Sequence, residues 1–340
     1  VNLYIMKLKN IVGLISAMGL MLVSCSEESV IDGPDVTEKA DTSFDITLVS
    51  GGVETKAPGG YEYATAEEIK IQTCAVAVFA GEKMVGFEYV TFDGGKSNAK
   101  YESKDAYKVE NIETKSGNVK ILVVANPVLD KEALRKLNTY DKFKSQATSY
   151  DNANSFVASK LIKFGEVDKT LSTTAADDVV VPLTQIAARV DVTYKVTVEN
   201  GWSAVLGKNK ISGINGRSNI FLPEYKRGSY TFTSPSSPLL EKSDVTVSDN
   251  KLSFYTYETE TPINIAVPVQ LSYGSREEKK TYNLSLQPKF VEGKCSTDGI
   301  VHGHYYEVTG NMSIDMELNC TINWEVETFE PVPVTIPDFK

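Results

Sequence analysis

Val190-Asp191-Val192-Thr193-Tyr194-Lys195-Val196-Thr197-Val198 alternates apolar and polar residues without a break. A period of two lines up the apolar set on one face of an extended strand, whereas a helix needs a period of 3.6. The pattern therefore predicts a long, half-buried strand. It recurs downstream, in Ile263, Ile265, Val267, Val269 and Leu271, then in Tyr282, Leu284 and Leu286. Tyr306, Val308, Gly310, Met312, Ile314 and Met316 carry it again, as do Ile322, Trp324 and Val326. Val332, Val334 and Ile336 repeat it over the last short stretch. Alternating strands with turn residues between them predict β-sandwiches.

Upstream of Ala188 the same logic holds with local variations. Val179-Val180-Val181-Pro182-Leu183 reads as an edge strand, where a proline removes the least hydrogen bonding. Val119 to Ala125 is apolar on both faces, as a central strand would be, and Asn126-Pro127 stops it. Asp130 can cap a short helix over Lys131 to Leu137, and a second short helix is expected near Tyr140 to Gln146. Ile69 to Phe79 and Phe87 to Phe92 read as further strands. Phe44, Ile46 and Leu48 alternate with polar residues in the first strand, which Gly51-Gly52 ends. The following loop, Val53 to Gly60, is open to proteases and carries Lys56 in its middle. The expected fold class is all-β with minor helices.

The N-terminus carries an export signal. Lys7 and Lys9 precede Ile11 to Val23, which is uncharged, mostly apolar and too short for a membrane span. A basic stretch, a short apolar run and a small-residue cleavage site define a secretory signal, here residues 1–24, with translation expected to begin at Met6. Leu22-Val23-Ser24-Cys25 resembles a bacterial lipobox. The implied chemistry is a diacylglyceryl group on the Cys25 thiol, cleavage before it and acylation of the new amine. Several acyl chains hold a protein firmly in a bilayer. The acidic Ser26-Glu27-Glu28 resembles a surface-export signal, and the polar stretch to Asp41 reads as a tether.

Composition narrows the function. Hydrophobic residues make up 41% of the 340, enough for packed cores. The net charge of -10, with Lys and Arg scattered among the acids, argues against nucleic acid as a partner, because phosphate binding needs a basic face. Besides Cys25 there are Cys74, Cys295 and Cys320, an odd number, of which Cys295 and Cys320 could pair. No C-x-x-C spacing suggests zinc or redox chemistry.

Catalytic chemistry finds no footing. His302 and His304 are the two histidines, expected to be exposed at a strand end, with Asp298 a loose third candidate for a metal. No Gly-x-Ser-x-Gly elbow accompanies them, so no hydrolase triad is expected. Gly213-Ile214-Asn215-Gly216 resembles half a phosphate loop without the following Lys-Ser or Lys-Thr, and reads as a turn. Asp177-Asp178 and the Glu258, Glu260 pair are expected on solvated surface. Tyr255, Tyr257, Tyr305 and Tyr306 could form a sugar-stacking platform, but core packing explains them more simply. The chain is read as a non-enzyme with no cofactor and no metal.

Several short motifs, in order, resemble the fimbrillin family of Bacteroidales, the subunits of type V pili. They are the lipobox at Cys25, Glu54-Thr55-Lys56-Ala57, Val123-Val124-Ala125-Asn126-Pro127 and Pro182-Leu183-Thr184-Gln185-Ile186-Ala187-Ala188-Arg189-Val190. Ser253-Phe254-Tyr255-Thr256-Tyr257-Glu258, His304-Tyr305-Tyr306-Glu307-Val308 and Trp324-Glu325-Val326 complete the set. The resemblance implies two transthyretin-like β-sandwich domains in tandem, over residues 57–187 and 188–340. It also implies a trypsin-like protease that cuts between Lys56 and Ala57, where the family usually has arginine, and removes the lipidated segment 25–56 with its first strand. Loss of Phe44, Ile46 and Leu48 would leave an unpaired edge and an apolar slot. Val332, Val334 and Ile336 of a neighbouring subunit have the matching period to fill it. The expected product is a cell-surface pilus built by strand exchange from a precursor held at the outer membrane by lipid. The alternatives are a pilus anchor that keeps its lipid, or a glycan-binding lipoprotein that does not polymerise.

Overall fold

The computed structural model describes residues 39–50, 64–92, 98–102, 106–173, 177–226, 228–232, 239–287 and 299–329. The first half of the chain runs β1 (Thr42–Val49), β2 (Thr73–Ala80), β3 (Lys83–Thr91), β4 (Ala99–Tyr101), β5 (Ala106–Thr114) and β6 (Gly117–Ala125), then α1 (Lys131–Arg135) and α2 (Tyr140–Lys144). It continues through β7 (Ala147–Ser149), β8 (Lys163–Leu171), β9 (Asp177–Pro182) and β10 (Thr184–Gln185). The second half holds β11 (Ala188–Val198), β12 (Ser203–Leu206), β13 (Asn209–Asn215), β14 (Arg217–Asn219) and β15 (Leu239–Val245). It closes with β16 (Lys251–Thr256), β17 (Ile263–Tyr273), β18 (Arg276–Leu286), β19 (Tyr305–Ile314) and β20 (Cys320–Phe329).

Two sandwiches follow one another. In the first, the sheet β4-β5-β1-β9 faces the sheet β10-β8-β6-β2-β3. Phe44, Val76, Val109, Ile121 and Val181 meet in the core between them. In the second, β16-β11-β19-β20 faces β12-β17-β13-β15, with β18 on the far side of β17. Val190, Val192, Ile265, Val267 and Val308 fill that core. Each sandwich contains one parallel pair, β1 with β9 and β11 with β19. In the second the pair is extended by β20, whereas in the first β9 is left at the edge.

The two-faced apolar strands have a plain cause. In β2, Cys74, Val76 and Val78 point into the first core, while Ala75, Ala77 and Phe79 point to the other side. There Phe79 meets Phe143 of α2, ring centroids 5.8 Å apart. Both helices are short and capped: Asp130 accepts from the Ala133 N–H, and Thr139 from the Lys142 N–H. The first ends at Arg135, two residues before the expected Leu137.

The sandwiches are tied by a charged junction. Thr65 and Glu68 form a reciprocal cap, with Thr65 N–H to Glu68 Oε2 at 2.6 Å and Glu68 N–H to Thr65 Oγ1 at 3.2 Å. Glu68, buried, also accepts from Tyr255 Oη–H at 2.9 Å and from Arg189 at 3.2 Å. Arg189 in turn forks onto Asp191. The strand expected from Ile69 therefore begins only at Thr73, because the cap turns the preceding residues. Gly213-Ile214-Asn215 is the end of β13 rather than a turn. A register shift between Ser212 and Ile214 bends the strand, and Gly213 adopts φ +88° where a Cβ would meet the Pro262 carbonyl.

Candidate functional site: the first strand and its groove

β1 is inserted between two partners. It runs antiparallel to β5 from Thr42 opposite Thr114 to Val49 opposite Ala106, and parallel to β9 from Phe44 opposite Asp177 to Val49 opposite Pro182. Phe44, Ile46 and Leu48 face the core at 1%, 0% and 0% exposure. Burying three such side chains stabilises the strand by roughly 5–8 kcal/mol before ordering costs. Both ends are fastened: Thr42 Oγ1 donates to the Ser172 carbonyl at 2.6 Å, and the Leu183 N–H to the Val49 carbonyl at 2.9 Å.

The outward face is held electrostatically. Asp45 accepts from the Asn111 N–H at 2.9 Å and pairs with Lys108 at 3.1 Å. Partial burial works against its charge, but these two donors outweigh it and hold the carboxyl below the usual carboxylate value. The ladder to β5 shifts register between Phe44 and Ile46, so Asp45 has no partner across β5. Asn111, at φ 59°, sits in that bulge.

Val179 and Val181 of β9 point into the same core, and Pro182 closes its edge strand as the sequence predicts. Removing β1 would uncover β5 and β9 together. Of the other expected site residues, Cys25, Lys56, Ala57, Val332, Val334 and Ile336 lie outside the described residues, as do Cys295 and Asp298. Among the described residues Cys320 and Cys74 are free thiols, and burial pushes the Cys74 pKa far up.

Both histidines are buried rather than exposed, because residues 299–304 fold under Tyr225 and Tyr230. His302 Nδ1 lies 3.1 Å from Tyr230 Oη, which donates to Glu258 Oε2 at 2.5 Å. Glu258 is thus buried too, not on solvated surface. Tyr257 and Tyr306 are core residues. Among the described residues no cluster of three His, Cys, Asp or Glu could hold a metal, and no helix is long and apolar enough to cross a membrane. The sequence reading missed Glu68. Its signal was the Thr65-x-x-Glu68 spacing of a capping box.

Residues 42–215, about half of the chain, match the sequence profile of the family described as major fimbrial subunit protein, FimA. The chain is 29% identical over 334 residues to a Parabacteroides distasonis protein named as a fimbrium tip subunit, Fim1F, a match covering 94% of this chain and 95% of that one. A solved cell adhesion protein of the same species has this fold with a TM-score of 0.60 at 17% identity, over 86% of this chain and 99% of its own. The fimbrilin FimA of Porphyromonas gingivalis gives 0.54 at 17% identity, over 84% and 97%. The tip fimbrial protein Mfa3 of that organism gives 0.53 at 11% identity, over 84% and 99%.

Proposed function

Since this chain belongs to the FimA major fimbrial subunit family and is a fimbrial subunit of the cell surface, we propose that it is exported as a lipoprotein on Cys25 and assembled by exchange of β1. A trypsin-like protease cuts after Lys56, β1 leaves with the lipidated segment, and Val332, Val334 and Ile336 of another subunit take the places of Phe44, Ile46 and Leu48. The domains of this scheme are residues 57–187 and 188–340.

The observation that carries the reading is the position of β1: its apolar side is fully buried, and it lies between two strands rather than at an edge. Its departure leaves a slot with hydrogen-bonding groups on both sides, which an extended segment can fill. The bulge supports the donor assignment. A register that puts Val332 in the place of Phe44 puts Pro333 in the place of Asp45, which has no partner across β5. On the β5 side a missing N–H costs little at such a bulge, while Asp178 of β9 stays opposite this position. Head-to-tail exchange of this kind does not close, so it grows a filament.

The name of the Parabacteroides relative favours a place at the tip. Intact mass of the surface form separates the positions along the scheme. A start at Ala57 fits a processed tip or stalk subunit, and a start at lipidated Cys25 fits an anchor. The direct test is limited tryptic digestion of the purified chain, expected to release the N-terminal strand and yield ladders that survive mild SDS. A variant ending after Thr328 should be cut but stay monomeric. If that variant polymerises as well as the full chain, the donor assignment is wrong.

A further inference from the structure

We propose that Lys163 and Asn126 are the reacting pair of a self-formed amide cross-link between the side chains of β8 and the end of β6. Lys163 opens β8 and is only 2% exposed. Lysine is almost never buried this deeply without a reason. Its Nζ donates to two backbone carbonyls, Lys70 at 3.3 Å and Leu161 at 3.2 Å. Asn126 follows directly on Ala125, which is the partner of Lys163 across the β6–β8 ladder. Its Nδ2 donates to the same two oxygens, Lys70 and Leu161, each at 3.1 Å. The amine and the carboxamide nitrogen therefore hang side by side from one pair of acceptors.

The carboxamide is polarised for attack. Asn126 Oδ1 accepts from the Gln72 N–H at 2.8 Å and from the Thr73 N–H at 3.3 Å. Two fixed backbone donors stand where negative charge would build on the oxygen, the arrangement that stabilises tetrahedral intermediates of acyl transfer. The backbone of Asn126 is left-handed at φ 53°, held there by these four bonds. The amine is suited to its part. Burial pushes the Lys163 pKa down to about 7, against the opposing charge of Glu68. A large share of it is free amine at neutral pH, the form that is nucleophilic.

In the step, the Nζ lone pair forms a bond to Asn126 Cγ and the carbonyl electrons move onto Oδ1. A proton passes from Nζ to Nδ2, the Cγ–Nδ2 bond breaks, and the carbonyl reforms. The products are one secondary amide and one molecule of ammonia, with no oxidant or cofactor. The link would join the two ends of the excursion from Pro127 to Ile162, which carries α1, α2 and β7. Closing a loop covalently removes its opening from the unfolded ensemble. The plain alternative is a buried lysine that only hydrogen-bonds the two carbonyls.

Mass spectrometry of the purified full chain separates the two after incubation at pH 8, where most of the amine is free. The expected intact mass is short by one ammonia relative to the measured N-terminus. In the tryptic map, Lys163 should resist cleavage, and the Leu161–Lys169 peptide should be found joined to Ile121–Lys131. Lys163→Met should restore the missing ammonia, and the wild-type measurement stands even if that variant folds poorly. A wild-type chain of full mass, with Lys163 cleaved and the two peptides separate, overturns the proposal.

Discussion

Ile46→Ala tests the central claim most sharply, because its effect should depend on whether β1 is still in place. Ile46 is wholly buried between the two sheets of the first sandwich. The change removes three carbons, about 2.4 kcal/mol at about 0.8 per methylene. Incomplete collapse of the cavity raises the expected loss to about 3–4 kcal/mol. Urea unfolding of the uncut chain should show that loss as a lower midpoint at unchanged slope. Filaments grown from cut Ile46→Ala chains should match wild type in stability, since the residue has left with its strand. Thr47→Ala, on the outward face, serves as a control with little effect in either form. Equal weakening of uncut chain and filament would mean that β1 stays seated in the polymer, and the exchange scheme would fail.

Other perturbations probe the frame around the groove. Gly165→Ala puts a Cβ 2.5 Å from Val181 Cγ1 and 2.6 Å from the Pro182 carbonyl, so β8 and β9 must separate. A loss of about 1–3 kcal/mol in urea unfolding is expected. Arg189→Ala leaves the buried Glu68 carboxylate without its cation and should cost about 3–5 kcal/mol. Arg189→Lys is expected to recover only part of this, because a lysine cannot fork onto Asp191 and reach Glu68 together. His304 is buried, and its pKa is lowered by that burial to about 4, against an ordinary 6.5. The unfolded chain therefore binds the proton first. Stability is full above pH 6.5, falls as the pH drops and levels off below about 4, a change of about 3 kcal/mol. Unfolding curves across pH 4 to 7 should flatten in His304→Gln.

What the sequence made legible is what local periodicity controls. β1, β11 and β17 follow from alternation alone, and the apolar run from Ile121 to Ala125 in β6 predicts a strand covered on both faces. The caps at Asp130 and Thr139 act through neighbours three residues away, so the first was readable. The misreadings share one cause. His302, His304 and Glu258 are polar, and their burial depends on Tyr225 and Tyr230, more than 25 residues from any of them. Lys163 is buried because Lys70 and Leu161 turn their carbonyls to it, which no side-chain pattern encodes. At Ile69 and Ile71 the alternation was real, but the Thr65–Glu68 cap sets the backbone there.

Under the proposed exchange, packing in the groove does not by itself favour the donor strand. Val332 and Val334 would replace Phe44 and Ile46, larger side chains that fill the core completely. Burial scales with apolar area, so the newcomer cannot win on packing at these positions. Direction must come from elsewhere, and in the proposed scheme the cut would supply it. While the chain is continuous through Lys56, β1 is tethered beside its slot at an effective concentration of the order of millimolar. Once released, it dilutes away. A thousandfold fall in concentration is worth about 4 kcal/mol, comparable to one or two of the lost side-chain contacts. A synthetic peptide of residues 328–340, added in excess, should therefore leave the uncut chain untouched. After tryptic cutting and removal of the free strand, the same peptide should bind at one per chain, measured by native mass spectrometry. Binding to the uncut chain at the same concentration would show that the tether is not what holds the slot closed.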